Sequence, residues 1–267
     1  MLSLQSSNPA LGVLSDESRV PAFAGPAATI SGVVSKTALA MSMAVIAGAG
    51  GAAVTSAYPQ TVWAFLIGSL VATLVVYLAI YSNPARAVWG APVYAIAEGA
   101  LLGSMATMLD GVLKAATGTA AIGGLGLQAL IITLCIGVSM LAVYKAGWIR
   151  PNRTFRSVML VLTMGVLLTY MAGFALSFFS IQIPFLSLSS ALEGGRAAWI
   201  GIGINVFILI LASLWLVIDF QQIEEGTSMG MPQHMEWYFA FALMVTLVWI
   251  YLEALKLAFR VAAANRR

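Results

Sequence analysis

The chain has 267 residues, 61% of them apolar and only 9% charged, with 13 Lys and Arg against 10 Asp and Glu. A soluble fold of this length could not cover its surface with so few charges, about a quarter being usual. With a mean hydropathy of +0.95, the composition excludes an ordinary cytosolic enzyme, a disulfide scaffold and a disordered chain, and points to a membrane protein.

Residues 1–35 read as a soluble, mobile leader with Pro9, Pro21 and Pro26 and an interfacial turn near Met1–Leu4. The leader lacks a basic segment followed by an apolar core, so it does not read as a signal peptide. Seven apolar runs follow, near 37–57, 61–81, 88–109, 121–144, 157–180, 198–222 and 236–259. Each approaches the ~20 residues that a helix needs to cross ~30 Å of hydrocarbon. Backbone groups in lipid must be satisfied within their own segment, so the runs are expected to be helices. The expectation is an all-α integral membrane bundle of seven helices over 36–260, with a basic tail at 261–267.

The cations set the orientation. Lys145, Arg150, Arg153 and Arg156 between the fourth and fifth runs form the densest cluster and are placed in the cytoplasm. Arg19, Lys36 and Arg86 join them there, and so does the N-terminus. Lys114 and Arg196 fall outside. Lys256, Arg260, Arg266 and Arg267 break the pattern at the end of the seventh run. The pI of 9.1 does not indicate nucleic acid, because these cations lie between apolar runs and form no basic face. Five of the seven Trp (63, 89, 148, 199, 237) lie near run ends, as an interfacial belt would. The 13 Met read as packing filler.

Little catalytic chemistry is legible. Cys135 lies within an apolar run without a partner cysteine, and His234 has no second histidine to make a zinc site. Gly123-Gly124-Leu125-Gly126 lacks the Lys-Ser/Thr of a phosphate loop, and no triad or dinucleotide fingerprint is present. The chain is therefore not expected to be an enzyme. An intramembrane hydrolase built on paired acids would need a Gly-x-Gly-Asp or zinc-ligand motif, and none is present.

Carboxylates at membrane depth are costly and usually face a bundle interior. Three stand out. Glu98 lies in PVYAIAEGALLGS, one position from a stripe of Ala91, Ala95, Gly99 and Gly103 that lets another helix approach closely. It is either a lining group of a polar path or a structural hydrogen-bonding group. Asp219 closes the sixth run, with Asn205 about 40° away around the helix and Gln222 one turn on, a polar strip on an apolar helix. Its alternative role is to end the helix in water. Glu253 lies in the seventh run with Lys256 at i+3 and Arg260 at i+7, a spacing equally suited to a simple ion pair. Glu236, at the start of that run, is an ordinary helix-start carboxylate.

Three stretches resemble the Bax inhibitor-1 family (the transmembrane Bax inhibitor motif family), most closely its bacterial YccA-like branch: PVYAIAEGALLG at Pro92–Gly103, DFQQIEE at Asp219–Glu225 and MEWYFAFALMVTLVWIYLEALKL at Met235–Leu257. The likeness runs from about Val34 to Phe259. It implies six helices around a central C-terminal one, whose shielding by protein would explain why the charge pattern fails there. It also implies a pH-sensitive calcium leak gated by acidic residues on the sixth and seventh helices, which match Asp219 and Glu253, in a bacterial inner membrane. Arg86 is the available counterpart of the family's second-helix arginine. Two carboxylates in one buried site would share a proton, and deprotonation would free oxygens that calcium prefers. No fixed metal or cofactor is expected beyond transient, weak calcium at Asp219 and Glu253. Besides the bilayer, the expected partners are calcium ions or protons and a membrane protease or other membrane protein. The alternative is a non-transporting regulator of membrane proteolysis or of stress and cell-death responses. Three departures stand out: Glu at 253 where the family has Asp, Lys256 where it often has a neutral amide, and 34 positions between the two acids. A helix starting at Glu236 would carry Glu253 about 25 Å along its axis, which makes Glu236 a rival partner for Asp219.

Overall fold

The computed structural model describes residues 26–118, 121–181, 183 and 186–264, and 85% of it is helical. Seven helices are long and apolar enough to span a bilayer. They are α1 (Ile30–Ala57), α2 (Thr61–Ser82), α3 (Ala87–Thr117, entered through a 3-10 turn Pro84–Arg86), α4 (Leu125–Lys145), α5 (Arg153–Ser177), α6 (Gly195–Ser228) and α7 (Met235–Ala264). A five-residue helix, Ser189–Glu193, precedes α6. Together these make an integral membrane bundle, and the large apolar side chains exposed on its outside, such as Val138, Phe174 and Ile210, are the surface that lipid covers.

The helix ends differ from the hydropathy windows for local reasons. Apolar runs mark the hydrocarbon, whereas helices end at caps. Thr29 caps α1 by accepting the Gly32 amide at 3.0 Å, so α1 begins at Ile30 rather than near 37. Asn152 caps α5 by accepting the Phe155 amide at 2.7 Å. Asp110-Gly111, read as a break, lies inside α3. The Asp110 carboxylate instead accepts the Leu125 amide at 3.0 and 3.2 Å, holding the first turn of α4. Gly124 precedes that turn at φ +79°, a backbone position that suits glycine.

The leader boundary at residue 35 is corrected as well. Residues 26–35 are stitched into the bundle, while 1–25, including Arg19 and the proposed turn at Met1–Leu4, lie outside the described residues. The Ala28 amide donates to the Met231 carbonyl at 2.7 Å, and the Gln233 amide donates to that of Pro26 at 2.9 Å. Glu236 completes the clasp by accepting from the Thr29 amide (2.9 Å), the Thr29 hydroxyl (3.0 Å) and the Lys36 ammonium. At the other end, residues 261–264 continue α7, and 265–267 lie outside the described residues.

Helix α7 is the most buried helix, packed against α1, α3, α4 and α6. The expected ring of six is better drawn as two layers, because α2 packs chiefly on α3 and α5 chiefly on α6. The small-residue stripe of α3 faces α1, and the approach is backbone to backbone. A Cβ on Gly103 would strike the Gly48 backbone, one on Gly99 that of Ala44, and one on Gly51 that of Ala100. Without a hydrophobic drive between helices in lipid, such close van der Waals packing is a main source of association.

Gly103→Ala is expected to lower thermal stability in detergent, with a cost of about 1–3 kcal/mol, because the obstacle is main chain. Gly165→Ala on α5, where an added Cβ meets nothing within 4 Å, is expected to be neutral or mildly stabilising. Paired melting curves check both. Equal melting temperatures for the two variants would contradict the assigned α1–α3 contact.

Candidate functional site

The acids picked out by the sequence all point into protein, but they do not converge. Asp219 on α6 reaches across to α7 and accepts the Thr246 hydroxyl at 2.6 Å. Glu253 on α7 reaches back to α6, where Asn205 Nδ2 donates to its Oε2 at 2.6 Å. The seam between the last two helices is thus closed by two reciprocal bonds, each joining a carboxylate to a neutral side chain of the facing helix. Thr246 and Glu253 are seven residues apart, two turns along one stripe of α7 and on the order of 10 Å. Between the two levels lie apolar groups, among them Ala212, Leu216 and Ile250.

This corrects the expected carboxylate pair. Asp219 and Glu253 sit at different levels of the seam and make no hydrogen bond to each other. Glu236, the rival partner, belongs to the clasp with Thr29 and Lys36. The cause is the axial stagger of α6 against α7, which is invisible in either helix alone.

Glu253 is only 2% exposed, and its Oε1 accepts from Lys256 Nζ at 2.6 Å and from the Tyr170 hydroxyl of α5 at 3.4 Å. Lys256 Nζ also donates to the Tyr170 oxygen at 2.9 Å and lies 4.9 Å from that ring's centroid. One turn further on, Arg260 is buried and donates to the Leu186 and Ser187 carbonyls at 3.3 and 3.1 Å. Thr246, Glu253 and Arg260 therefore form a polar stripe at heptad spacing on an otherwise apolar helix.

Asp219 differs from Glu253 in having no ion pair among the described residues. Its chain neighbours Phe220 and Gln221 line a cleft of about 750 Å³, together with Lys145, Arg150, Glu224 and Glu225. The cleft rim is tied to α6 by Tyr144 donating to Glu224 and by Arg156 paired with Glu225 at 3.2 Å.

Three other expected site residues stand elsewhere. Glu98 is buried on the α2 side of α3, accepting the Ser69 and Thr73 hydroxyls at 2.8 and 2.7 Å. It braces the outer α2–α3 layer and does not join the α6–α7 seam. Arg86 is exposed in the 3-10 turn and donates to Ser82 at 2.9 Å, with no role beside Glu253. Gln222 is exposed, since three residues leave it 60° short of a full turn from Asp219. Of that strip, Asn205 and Asp219 join the seam and Gln222 does not.

Sequence reading missed Thr246, Tyr170, Ser69 and Thr73. Thr246 was within reach, lying on the same stripe as Glu253. The others come from helices whose rotation the sequence does not record. Among the described residues no three of His, Cys, Asp and Glu converge, so a cation at either carboxylate would draw on hydroxyl, amide and water oxygens.

Double-mutant cycles test the geometry. Asp219→Asn with Thr246→Val is expected to show a coupling of about 0.5–3 kcal/mol, whereas Asp219→Asn with Glu253→Gln is expected to add within about 0.5 kcal/mol. Unfolding in detergent provides the measurement, and strong coupling between the two acids would restore the paired-carboxylate arrangement.

A family model described as Bax inhibitor 1 like matches residues 7–263. Comparison with curated proteins and comparison with solved structures each return no match. With seven membrane-spanning helices and a family match over nearly the whole chain, the protein belongs to the Bax inhibitor 1 like family of membrane proteins.

Proposed function

We propose that this protein is a pH-sensitive leak pathway for cations, calcium among them, and that the α6–α7 seam holds it closed. The observation that carries this reading is Asp219, a carboxylate at membrane depth with a single hydroxyl donor and no ion pair among the described residues, next in the chain to Phe220 and Gln221 of a cleft that also carries Lys145, Arg150, Glu224 and Glu225. Intramembrane carboxylates of this kind mark ion or proton paths more often than structural ties. A cation entering from the cleft would meet Asp219 first. Thr246 would then stop donating and turn an oxygen toward the ion. The next oxygen seat is Glu253, about two turns deeper, beyond the apolar stretch. Few charged oxygens are available at either level, which suits weak, transient occupancy rather than storage.

The pH sense follows from the ligands. Acid protonates Asp219 and takes away the negative charge that attracts a cation, while its bond to Thr246 can persist. Flux is therefore expected to rise with pH. The charged groups nearest this mouth are Lys145, Arg150, Glu224 and Glu225, and their summed field tunes the response. We place this end of the bundle in the cytoplasm, on the strength of Lys145, Arg150, Arg153 and Arg156, with the bacterial inner membrane as its setting.

Reconstitution into liposomes that enclose a calcium indicator tests the proposal. Asp219→Asn is expected to cut flux by roughly an order of magnitude and to flatten its pH dependence. Absence of flux at every pH, or an Asp219→Asn variant that behaves as the parent, would end the leak reading.

A regulatory role without transport is favoured by one observation, the clasp joining Pro26–Thr29 to the α6–α7 connector. Force or binding upstream of Pro26 would be transmitted directly to the seam. Deleting residues 1–25 while sparing the clasp is expected to leave calcium flux intact if the protein is a leak. If it is a regulator, the deletion is expected to abolish its effect on a partner membrane protease, read from substrate turnover in cells.

A further inference from the structure

We infer that Lys256 is a built-in plug: its ammonium occupies the seat that a permeating cation would take on Glu253. The inference rests on the leak reading for its meaning but on independent geometry for its content. Of the two Glu253 oxygens, Oε2 is held by Asn205 on the inner side of the seam. Oε1 is the oxygen that faces away from Asn205, with Lys256 Nζ 2.6 Å from it and the Tyr170 hydroxyl at a longer 3.4 Å. The Tyr170 hydroxyl oxygen, 2.9 Å away, and the Tyr170 ring complete the coordination of that ammonium. Carboxylate oxygen, phenol oxygen and π face are together the groups that would receive a bare cation in the same place.

Exposure gives the arrangement a direction. The Glu253 side chain is 2% exposed and that of Lys256 25%, so the ammonium stands on the outer side of the carboxylate. Lys256 is one helical turn from Glu253 and needs no backbone motion to reach it. Its flexible four-carbon stem can also swing the charge away. Asp219 carries no such partner, so the seam has one open seat and one plugged seat in series. The plug is a tethered competitor, whose local concentration at Oε1 exceeds that of any free ion. A purely structural ion pair would give the same contacts, but its removal would leave a destabilised site with no gain of cation binding.

Terbium luminescence separates the two, because Tyr170 stands within 3.4 Å of the carboxylate and can sensitise a bound Tb3+ ion. Full-length protein in nanodiscs would be titrated with terbium as the parent, Lys256→Gln and Lys256→Gln with Glu253→Gln. We expect Lys256→Gln to bind Tb3+ roughly tenfold more tightly than the parent, the gain to vanish in the double variant, and added methylammonium to reverse it. Lys256→Met, of similar volume, replaces the glutamine variant if the latter does not fold. Binding no tighter than the parent, or a gain that survives Glu253→Gln, would overturn the proposal. Calcium flux of Lys256→Gln in liposomes distinguishes the two readings. A conducting parent with an unchanged variant removes the plug and leaves the leak. Terbium binding gained without flux in any protein removes the leak and leaves the plugged seat.

Discussion

A carboxylate inside a bilayer must find its hydrogen-bond donors within the protein, because hydrocarbon offers none. That constraint organises the last two helices. Asp219 takes its donor from α7, and Glu253 takes its donor from α6, so each helix satisfies the other's acid. The exchange fixes both the rotation and the axial stagger of the pair, since sliding either helix by a turn would break both bonds together.

The rest of the bundle supports that seam without entering it. Helices α1 and α3 are drawn to backbone contact through Gly48, Gly51, Gly99 and Gly103, forming a rigid wall against which α7 packs. The clasp of Pro26–Thr29 with Met231, Gln233 and Glu236 ties that wall to the connector between α6 and α7. Glu98, bound by Ser69 and Thr73, braces the outer α2 layer in the same way. Four acids, the buried Glu98, Glu236 and Glu253 and the half-buried Asp219, thus do related structural work, and the difference between them lies in their partners. Glu236 and Glu253 have an ammonium, Glu98 has two hydroxyls, and Asp219 has one hydroxyl beside a cleft. Asp219 is thus the acid with the fewest ties among the four.

Several features were legible because they depend only on local sequence. Seven apolar stretches sufficed to count the spanning helices, since hydrocarbon thickness sets one length for all of them. The Ala91–Gly103 stripe announced a close helix contact, because small residues every fourth position make a groove whatever lies opposite. Glu253 and Glu98 were recognisable as buried, and Asp219 as facing protein, from the cost of placing a carboxylate in lipid. Local caps were less visible. The hydropathy windows cut α1 short at 37 and α3 at Asp110, because a helix stops where its end groups are satisfied and not where apolarity ends.

What no stretch of the chain records is how one helix is rotated and shifted against another. The sequence by itself determined that acids from α6 and α7 lie in the protein interior, since lipid forbids the alternative. Only the tertiary structure decided that Asp219 meets Thr246 and Glu253 meets Asn205 and Tyr170 rather than each other. The reason is geometric. One residue advances a helix by about 1.5 Å and 100°, so a shift of a few residues between neighbours exchanges every side-chain partner while leaving each helix's own pattern unchanged.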